Sequence, residues 1–426
     1  MILKNITSKI SQGLKVISPH LLYILLFLFL TPQFGFSQDY CDSDFTSNEF
    51  SAIQKVELKY GRAPEPTGFV DSINLFMDLY YSTENTHSVQ PMMFLLHGGS
   101  FIAELGNKSS MEEFARMMVS KGFVVASVGY RTWSYLLGGI PTRDEIVDVV
   151  VKAMLDLQTA IDFVVDESGQ NDFPEVDLQN IIIGGGSAGA ITINHRLYLD
   201  AQDSLPDFLA TAFENNGGLF DRESDDYEIV YGLNMSGGIF DTAWIDAEEP
   251  PLISIHGDKD SVVFYDRGLA NGIIELYGSK PIDERLRSQG IDSYFYTFNG
   301  GGHSNIYENI PLYRDPLLKV LDTGLMMIQD KLCLKTNTSL ATVQADVKLV
   351  NTLVGHDLIV DNNESESMQY EIIDLWGRSM QSGVLQNGRH RISFTAPVTG
   401  YFAFRAYGRI GGDRSGYQQL FYYSGR

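Results

Sequence analysis

Short apolar runs alternate with amphipathic stretches from Gln54 to about Lys331. The runs Lys55–Tyr60, Ile73–Tyr80, Met92–Leu96, Val124–Val128, Ile181–Ile183, Ile229–Asn234, Leu252–His256 and Tyr294–Phe298 predict strands. They are short, rich in β-branched and aromatic residues and bounded by turn residues. Ser110–Lys121, Asp144–Glu167 and Ala188–Asp200 repeat their apolar positions at helical spacing. Strands separated by helices predict a mostly parallel, eight-stranded sheet with helices on both faces. Ligands of such sheets sit beyond the carboxyl ends of the strands, so chemistry is expected there.

Beyond Cys333 the pattern changes. Thr336–Ser339 reads as the start of a linker over 334–343. Alternating runs follow at Val347–Val350, Asp357–Val360, Tyr370–Leu375, Arg391–Phe394, Tyr401–Tyr407 and Gln418–Tyr423. Turn signals at Trp376–Arg378, Asn387-Gly388 and Pro397–Gly400 separate them, and no helical period is present. This texture over 344–426 predicts a small all-β sandwich. At the other end, Lys4, Lys9 and Lys15 precede the apolar run Leu21–Leu30, and small or polar residues follow near Gly35–Gln38. Residues 1–38 therefore read as a leader removed on export. The apolar run is far shorter than the ~20 residues a spanning helix needs, so no stable membrane span is expected. Residues 39–333 are left as one large central domain.

A composition of 44% hydrophobic and 20% charged residues is that of a folded globular chain. The formal net charge of -23 argues against nucleic acid or an anionic membrane as partner. The two cysteines, Cys41 and Cys333, flank the central domain. In an exported protein they can pair, and closing so long a loop stabilises by about 5 kcal/mol in the chain-entropy treatment.

Four stretches carry candidate chemistry. Gly185-Gly186-Ser187-Ala188-Gly189 follows a buried apolar run and has the G-x-S-x-G pattern. That pattern holds a serine hydroxyl exposed on a sharp strand-to-helix corner, where it can act as a nucleophile. The alternative is a glycine-rich turn that only packs or binds phosphate. Met92–Leu96 ends in His97-Gly98-Gly99-Ser100-Phe101. Glycines there let backbone amides converge on one spot, so Gly99 and Ser100, with Ala188, are the candidate oxyanion donors. His97 reads as a structural residue of that loop, and Ser100 stands where a third glycine is usual.

Leu252–Ile255 runs into His256-Gly-Asp-Lys-Asp-Ser-Val-Val263. Asp260 has the HG-x-x-D-x-x-V spacing and is preferred to Asp258 as the acid that orients a histidine. His256 reads as buried and structural. Tyr294–Phe298 is followed by Asn299-Gly-Gly-Gly302-His303-Ser304. A histidine on such a loop can reach a serine at the top of the sheet and serve as base and then acid. Of the eight histidines, His20 lies in the leader, His356 and His390 in the C-terminal part, His87 before a strand and His195 within a helix. His303 remains. The order Ser187, Asp260, His303 is the one expected on this architecture.

On these motifs, together with Val128-Gly-Tyr130-Arg131, residues 52–331 resemble the α/β-hydrolase superfamily, its secreted esterase and lipase branch in particular. The resemblance implies a Ser-His-Asp acyl transfer through a covalent acyl-enzyme, with no cofactor and no metal. An extracellular ester is the implied substrate: acetyl or feruloyl groups on polysaccharides first, lipids or polyesters as alternatives. A peptidase is less favoured, because few residues precede the core; a non-catalytic binding module is least favoured, because the whole set is kept. Trp133, Tyr135, Leu136, Leu137 and Trp244 follow strands and are candidate pocket walls, with ordinary core packing as the alternative. Tyr370–Arg378 and Pro397–Arg405 resemble the C-terminal sorting domain of proteins exported by the type IX secretion system of Bacteroidetes. That resemblance implies the type IX machinery as a partner, although the usual opening PNP is absent near Val350–Leu353.

Overall fold

The computed structural model describes residues 39–219, 224–307 and 311–334, and in the C-terminal part 347–349, 353–354, 357–363, 367–374, 379–394, 400–410 and 413–423. The expected leader, nearly all of the linker, His356 and the turns at 376–378 and 397–399 lie outside these residues.

The strands of the central region are β1 (Ile53–Ala63), β2 (Ile73–Ser82), β3 (Gln90–Leu96), β4 (Val124–Val128), β5 (Val176–Gly186), β6 (Ile229–Met235), β7 (Gly238–Ile239), β8 (Leu252–Gly257), β9 (Arg267–Ala270), β10 (Ile274–Gly278) and β11 (Ser293–Phe298). Eight of them form one sheet in the order β1-β2-β4-β3-β5-β6-β8-β11. β1 with β2 and β2 with β4 run antiparallel; the other pairs are parallel. All eight strand readings from the sequence fall on these eight. The order and the mostly parallel sheet fit the α/β-hydrolase fold.

The helices are α1 (Glu112–Ser120), α2 (Arg143–Glu167), α3 (Ala188–Tyr198), α4 (Asp207–Asn215), α5 (Ser279–Ser288) and α6 (Pro311–Leu334). Helix α2 starts where Thr142 and Glu145 form a reciprocal capping box. The central strands are buried on both faces, which is why β3 and β4 are apolar nearly throughout. Their side chains still alternate. Met92, Phe94 and Leu96 join the core beneath α2, α3 and α5, while Met93 and Leu95 join the core beneath α1 and α6. β1 closes one edge; Lys55, Glu57 and Lys59 are exposed there, Lys55 paired with Asp78 and Glu112 and Glu57 with Lys108, and such charges discourage further strand pairing.

Two elements were not foreseen, a hairpin and the long helix α6, whereas the pairing of Cys41 with Cys333 was expected. A hairpin of β9 and β10, turned at Asn271-Gly272, pairs with β7 in a small separate sheet. Helix α6 carries Cys333, and a disulfide joins Cys333 to Cys41 in the short turn Asp39–Asp42. Among the described residues no helix is long and apolar enough to cross a membrane.

Among the described residues, the C-terminal part is built of two small sheets. One contains Val347–Leu349, Asp357–Asn362 and Gly388–Ser393. The other contains Leu353–Val354, Asp413–Tyr423, Gly400–Ile410, Met368–Asp374 and Ser379–Leu385. All pairs are antiparallel except the short Leu353–Val354 with its neighbour. Leu358, Val360 and Ile392 of the first sheet cluster with Met368, Ile372, Phe402 and Phe404 of the second. The strand Ser379–Leu385 went unread because its apolar residues barely alternate.

Candidate active site

Ser187 stands between β5 and α3 with φ 52° and ψ -116°, a left-handed conformation strained for a residue with a Cβ. The flanking glycines are required by space. A Cβ on Gly189 would lie 2.2 Å from the carbonyl oxygen of Leu96, and one on Gly185 would lie 2.4 Å from the backbone of Gly189. Helix α3 can therefore abut the ends of β3 and β5, and the tight corner turns the serine outward.

His303 comes from the loop after β11. Its Nε2 is 2.7 Å from Ser187 Oγ, and its Nδ1 is 2.6 Å from Asp260 Oδ2. The three residues read from distant stretches are thus in one hydrogen-bonded line. The Ser236 hydroxyl donates to the His303 carbonyl at 2.9 Å, and the Gly302 amide donates to Asn305 Oδ1 at 2.9 Å. Asp258, the rejected acid, has another task. Its Oδ1 accepts from the Gly300 amide at 2.6 Å, and the Lys259 amide donates to the Gly301 carbonyl, so the acid's own turn holds the histidine's loop.

Asp260 is buried, and its Oδ1 accepts from the amides of Val262 (2.8 Å) and Val263 (3.0 Å). Burial alone would raise its carboxyl pKa. The hydrogen bonds from His256 and His303, the charge attraction of His303 and the Val262 amide outweigh it and hold the group well below the usual carboxylate range. The site thereby keeps an ionised acid behind the histidine.

The loop after β3 is braced from below. Tyr130 stacks on His97 at 4.3 Å between centroids and donates to its carbonyl at 2.6 Å. Arg131 bonds the buried Asp156 through both backbone and side chain. Burial pushes the His97 pKa down to about 4, so the ring is a neutral support, as its position suggested. Ser100 carries φ 55°, and its Oγ accepts from Asn271 Nδ2 at 2.8 Å, which ties the loop to the β9–β10 hairpin. Ala188 opens α3, so its amide has no intrahelical partner.

Two cavities meet at Ser187. The smaller, about 220 Å³, is lined by Ser100, Ala188, Tyr135, Ile146, Ile191 and the hairpin residues Ala270, Asn271, Ile273 and Ile274, among others. The larger, about 960 Å³, contains Gly99, Ser100, His303, Tyr307 and residues of α1 and α6. Tyr135 is thus a pocket wall. Trp133 and Trp244 line neither cavity, which corrects the expectation for both. The indole of Trp133 is buried and donates to the Gly139 carbonyl; Trp244 is buried edge-on against His195. Leu136 is 85% exposed, and neither it nor Leu137 lines either of these two cavities. The hairpin wall was missed, although Asn-Gly is the strongest short hairpin signal in a sequence.

The BD-FAE family model matches residues 77–195, an interval that takes in the loop at Gly99 and Ser100 and the serine corner, but not Asp260 or His303. Among solved structures, the chain is similar to Thermogutta terrifontis esterase 2 phosphoramylated by tabun. Identity is 17%, with 66% of this chain and 96% of that one covered and a TM-score of 0.46. It is also similar to the propionate-bound Est2, a thermophilic esterase of the same Planctomycetes species. Here identity is 15%, coverage 64% and 94%, and the TM-score 0.45. None of the curated protein sequences matches. The BD-FAE match over the serine corner and the line of Ser187, His303 and Asp260 together mark the central region as a carboxylic ester hydrolase.

Proposed function

We propose that this hydrolase removes short or single-ring acyl groups, such as acetyl or feruloyl, from bulky alcohols of the polysaccharide kind outside the cell. Ser187 is the nucleophile, His303 the base and acid, and Asp260 the group that orients and stabilises the imidazole. His303 Nε2 takes the Ser187 proton as Oγ bonds to the ester carbon, and the carbonyl oxygen gains charge against the amides of Gly99, Ser100 and Ala188. The carbon–oxygen bond to the alcohol then breaks, and the alcohol oxygen receives the proton held on His303. Water, deprotonated by the same nitrogen, attacks the acyl-enzyme; the acid leaves and Ser187 regains its proton.

The unequal cavities on either side of Ser187 carry the reading of substrate size. The leaving oxygen must take its proton from His303, so the alcohol occupies the side that contains His303. That is the larger cavity, of about 960 Å³. The acyl group is left the smaller one, of about 220 Å³, with mainly apolar walls. Export is supported by the leader pattern and by the disulfide, which suits an oxidising compartment. The C-terminal part is read as the type IX sorting signal; removing 344–426 in a host with that system is expected to leave the enzyme inside the cell envelope.

The test is a panel with one alcohol and graded acyl groups, followed by acetylated xylan, feruloyl esters, triglyceride, a polyester and peptide amides. Acetyl to butyryl and single-ring esters are expected to exceed long-chain esters by at least about 10-fold in kcat/KM, the discrimination of one or two misfitting methylenes. Equal rates on long acyl chains would overturn the assignment of the small cavity, and preference for amides would make the protein a peptidase.

A further inference from the structure

The reaction cycle leaves one buried histidine unused. His256, at the end of β8, is fully buried, and its Nε2 lies 3.1 Å from Asp260 Oδ2, the same oxygen that accepts from His303. Its Nε2 is also 2.9 Å from the Val263 carbonyl. Both neighbours can only accept, because Asp260 is ionised, so Nε2 carries a hydrogen. At the other side of the ring, Nδ1 is 2.7 Å from Ser279 Oγ.

The direction of that bond follows from the next residue. Asn234 Oδ1 accepts from the Gly237 amide at 3.0 Å, so its Nδ2 is the donor toward Ser279 Oγ, at 2.9 Å, and Ser254 Oγ, at 3.1 Å. The Ser279 oxygen is thereby an acceptor for Asn234, and its hydrogen points to His256 Nδ1. The chain of donation runs Asn234 to Ser279 to His256 to Asp260, and Asn234, Ser279 and His256 are at most 1% exposed. The titratable groups facing His256 are Asp260, His303 beyond it, and Tyr265, whose ring meets the imidazole edge-on and whose hydroxyl pairs with Thr297.

We propose that His256 is a positioning residue of the ester-cleaving site, held in one tautomer by Ser279 and Asn234 so that it shares Asp260 Oδ2 with His303. Two effects follow from two donors on one oxygen. The carboxylate cannot rotate away from His303, because His256 holds Oδ2 while the Val262 and Val263 amides hold Oδ1. Negative charge on Oδ2 is also divided between two N–H groups, so the proton that His303 takes from Ser187 is held less tightly than a lone carboxylate would hold it. The acid is tuned from behind, by a residue that touches no substrate.

The test compares His256→Phe, which fills the space without a donor, with His256→Gln, whose Nε2 can still donate. In the Phe variant kcat is expected to fall about 10-fold or more with KM nearly unchanged, and the acidic limb of the kcat/KM profile to move to higher pH by about half a unit or more. The Gln variant should recover most of both. Should His256→Phe not fold, Ser279→Ala keeps the imidazole in place, leaves Asn234 its bond to Ser254, and is expected to move the same limb in the same direction by a smaller amount. A folded variant with the wild-type profile overturns the proposal, even if it melts at a lower temperature. The proposal rests on the triad roles given above, and Ser187→Ala separates the two failures. An active Ser187→Ala removes the triad reading, whereas an inactive one beside an unchanged His256→Phe removes only this inference.

Discussion

The cavities on the two sides of Ser187 are made from different material. The smaller is cut into the hydrophobic core: Ile146 of α2, Ile191 of α3, Val263, Ala270 and Ile274 are at most 5% exposed and belong to the same packed cluster as the sheet. The larger lies mainly between surface elements, with Met111, Met235 and Leu321 as its buried walls. Phe114 and Met117 of α1 and Leu317 and Leu318 of α6 are half-buried, and Asn48, Ser110, Glu113 and Arg314 stand among them. Walls shared with a close-packed core resist deformation, because moving them opens voids. Walls that are faces of outer helices can shift at little cost. One serine therefore looks onto a stiff gauge on the acyl side and a tolerant groove on the alcohol side. Selectivity is expected to be sharp for the acid and broad for the alcohol.

That contrast can be broken at several strengths. The largest effect belongs to the nucleophile on which both cavities open. Ser187→Ala should lower kcat by about 10⁴-fold or more on every ester while thermal unfolding stays near wild type. Turnover that survived on one class of ester alone would mean that the cavities do not serve a common nucleophile. An intermediate effect is expected from Ile273→Ala, at the half-buried tip of the hairpin. It lengthens the small cavity and should raise kcat/KM for hexanoyl relative to acetyl esters by about 10-fold, with the ranking of alcohols unchanged. The smallest belongs to the groove. Leu318→Ala should alter KM for bulky alcohols by about 3-fold and leave the acyl ranking alone. An acyl ranking that moved with Leu318, measured on the same panel, would reverse the assignment of sides.

The residues of the triad were legible because each is tied to a backbone peculiarity as well as to a side chain. Ser187 announces itself through Gly185 and Gly189, whose missing Cβ atoms the corner demands; His303 through the glycines that let its loop fold back. Asp260 was separable from Asp258 only by motif spacing. The structure supplies the physical ground for that spacing: Asp258 faces Gly300 and the histidine loop, and Asp260 faces the ring. The walls were far less legible. Trp133 and Trp244 follow strands as pocket residues do, but whether an aromatic turns outward depends on what packs behind it. Here those partners are Gly139 and His195. The hairpin strands Arg267–Ala270 and Ile274–Gly278 are too short for a clear alternation, and Pro316 lies inside a stretch that is nevertheless one helix. His256 was recognised as buried and structural. That it points at the acid, and in which tautomer, is a property of three dimensions.

The bond between Cys41 and Cys333 has a sequence separation of 292 and turns the central region into a covalent ring that contains Ser187, Asp260 and His303. A protease that nicks an exposed loop anywhere between the two cysteines opens the ring without releasing a fragment. The severed pieces stay joined through sulfur, and the packed sheet can keep them in register. An enzyme built this way can be clipped once in a protease-rich medium and still run as a single species on a gel, until a reductant is added.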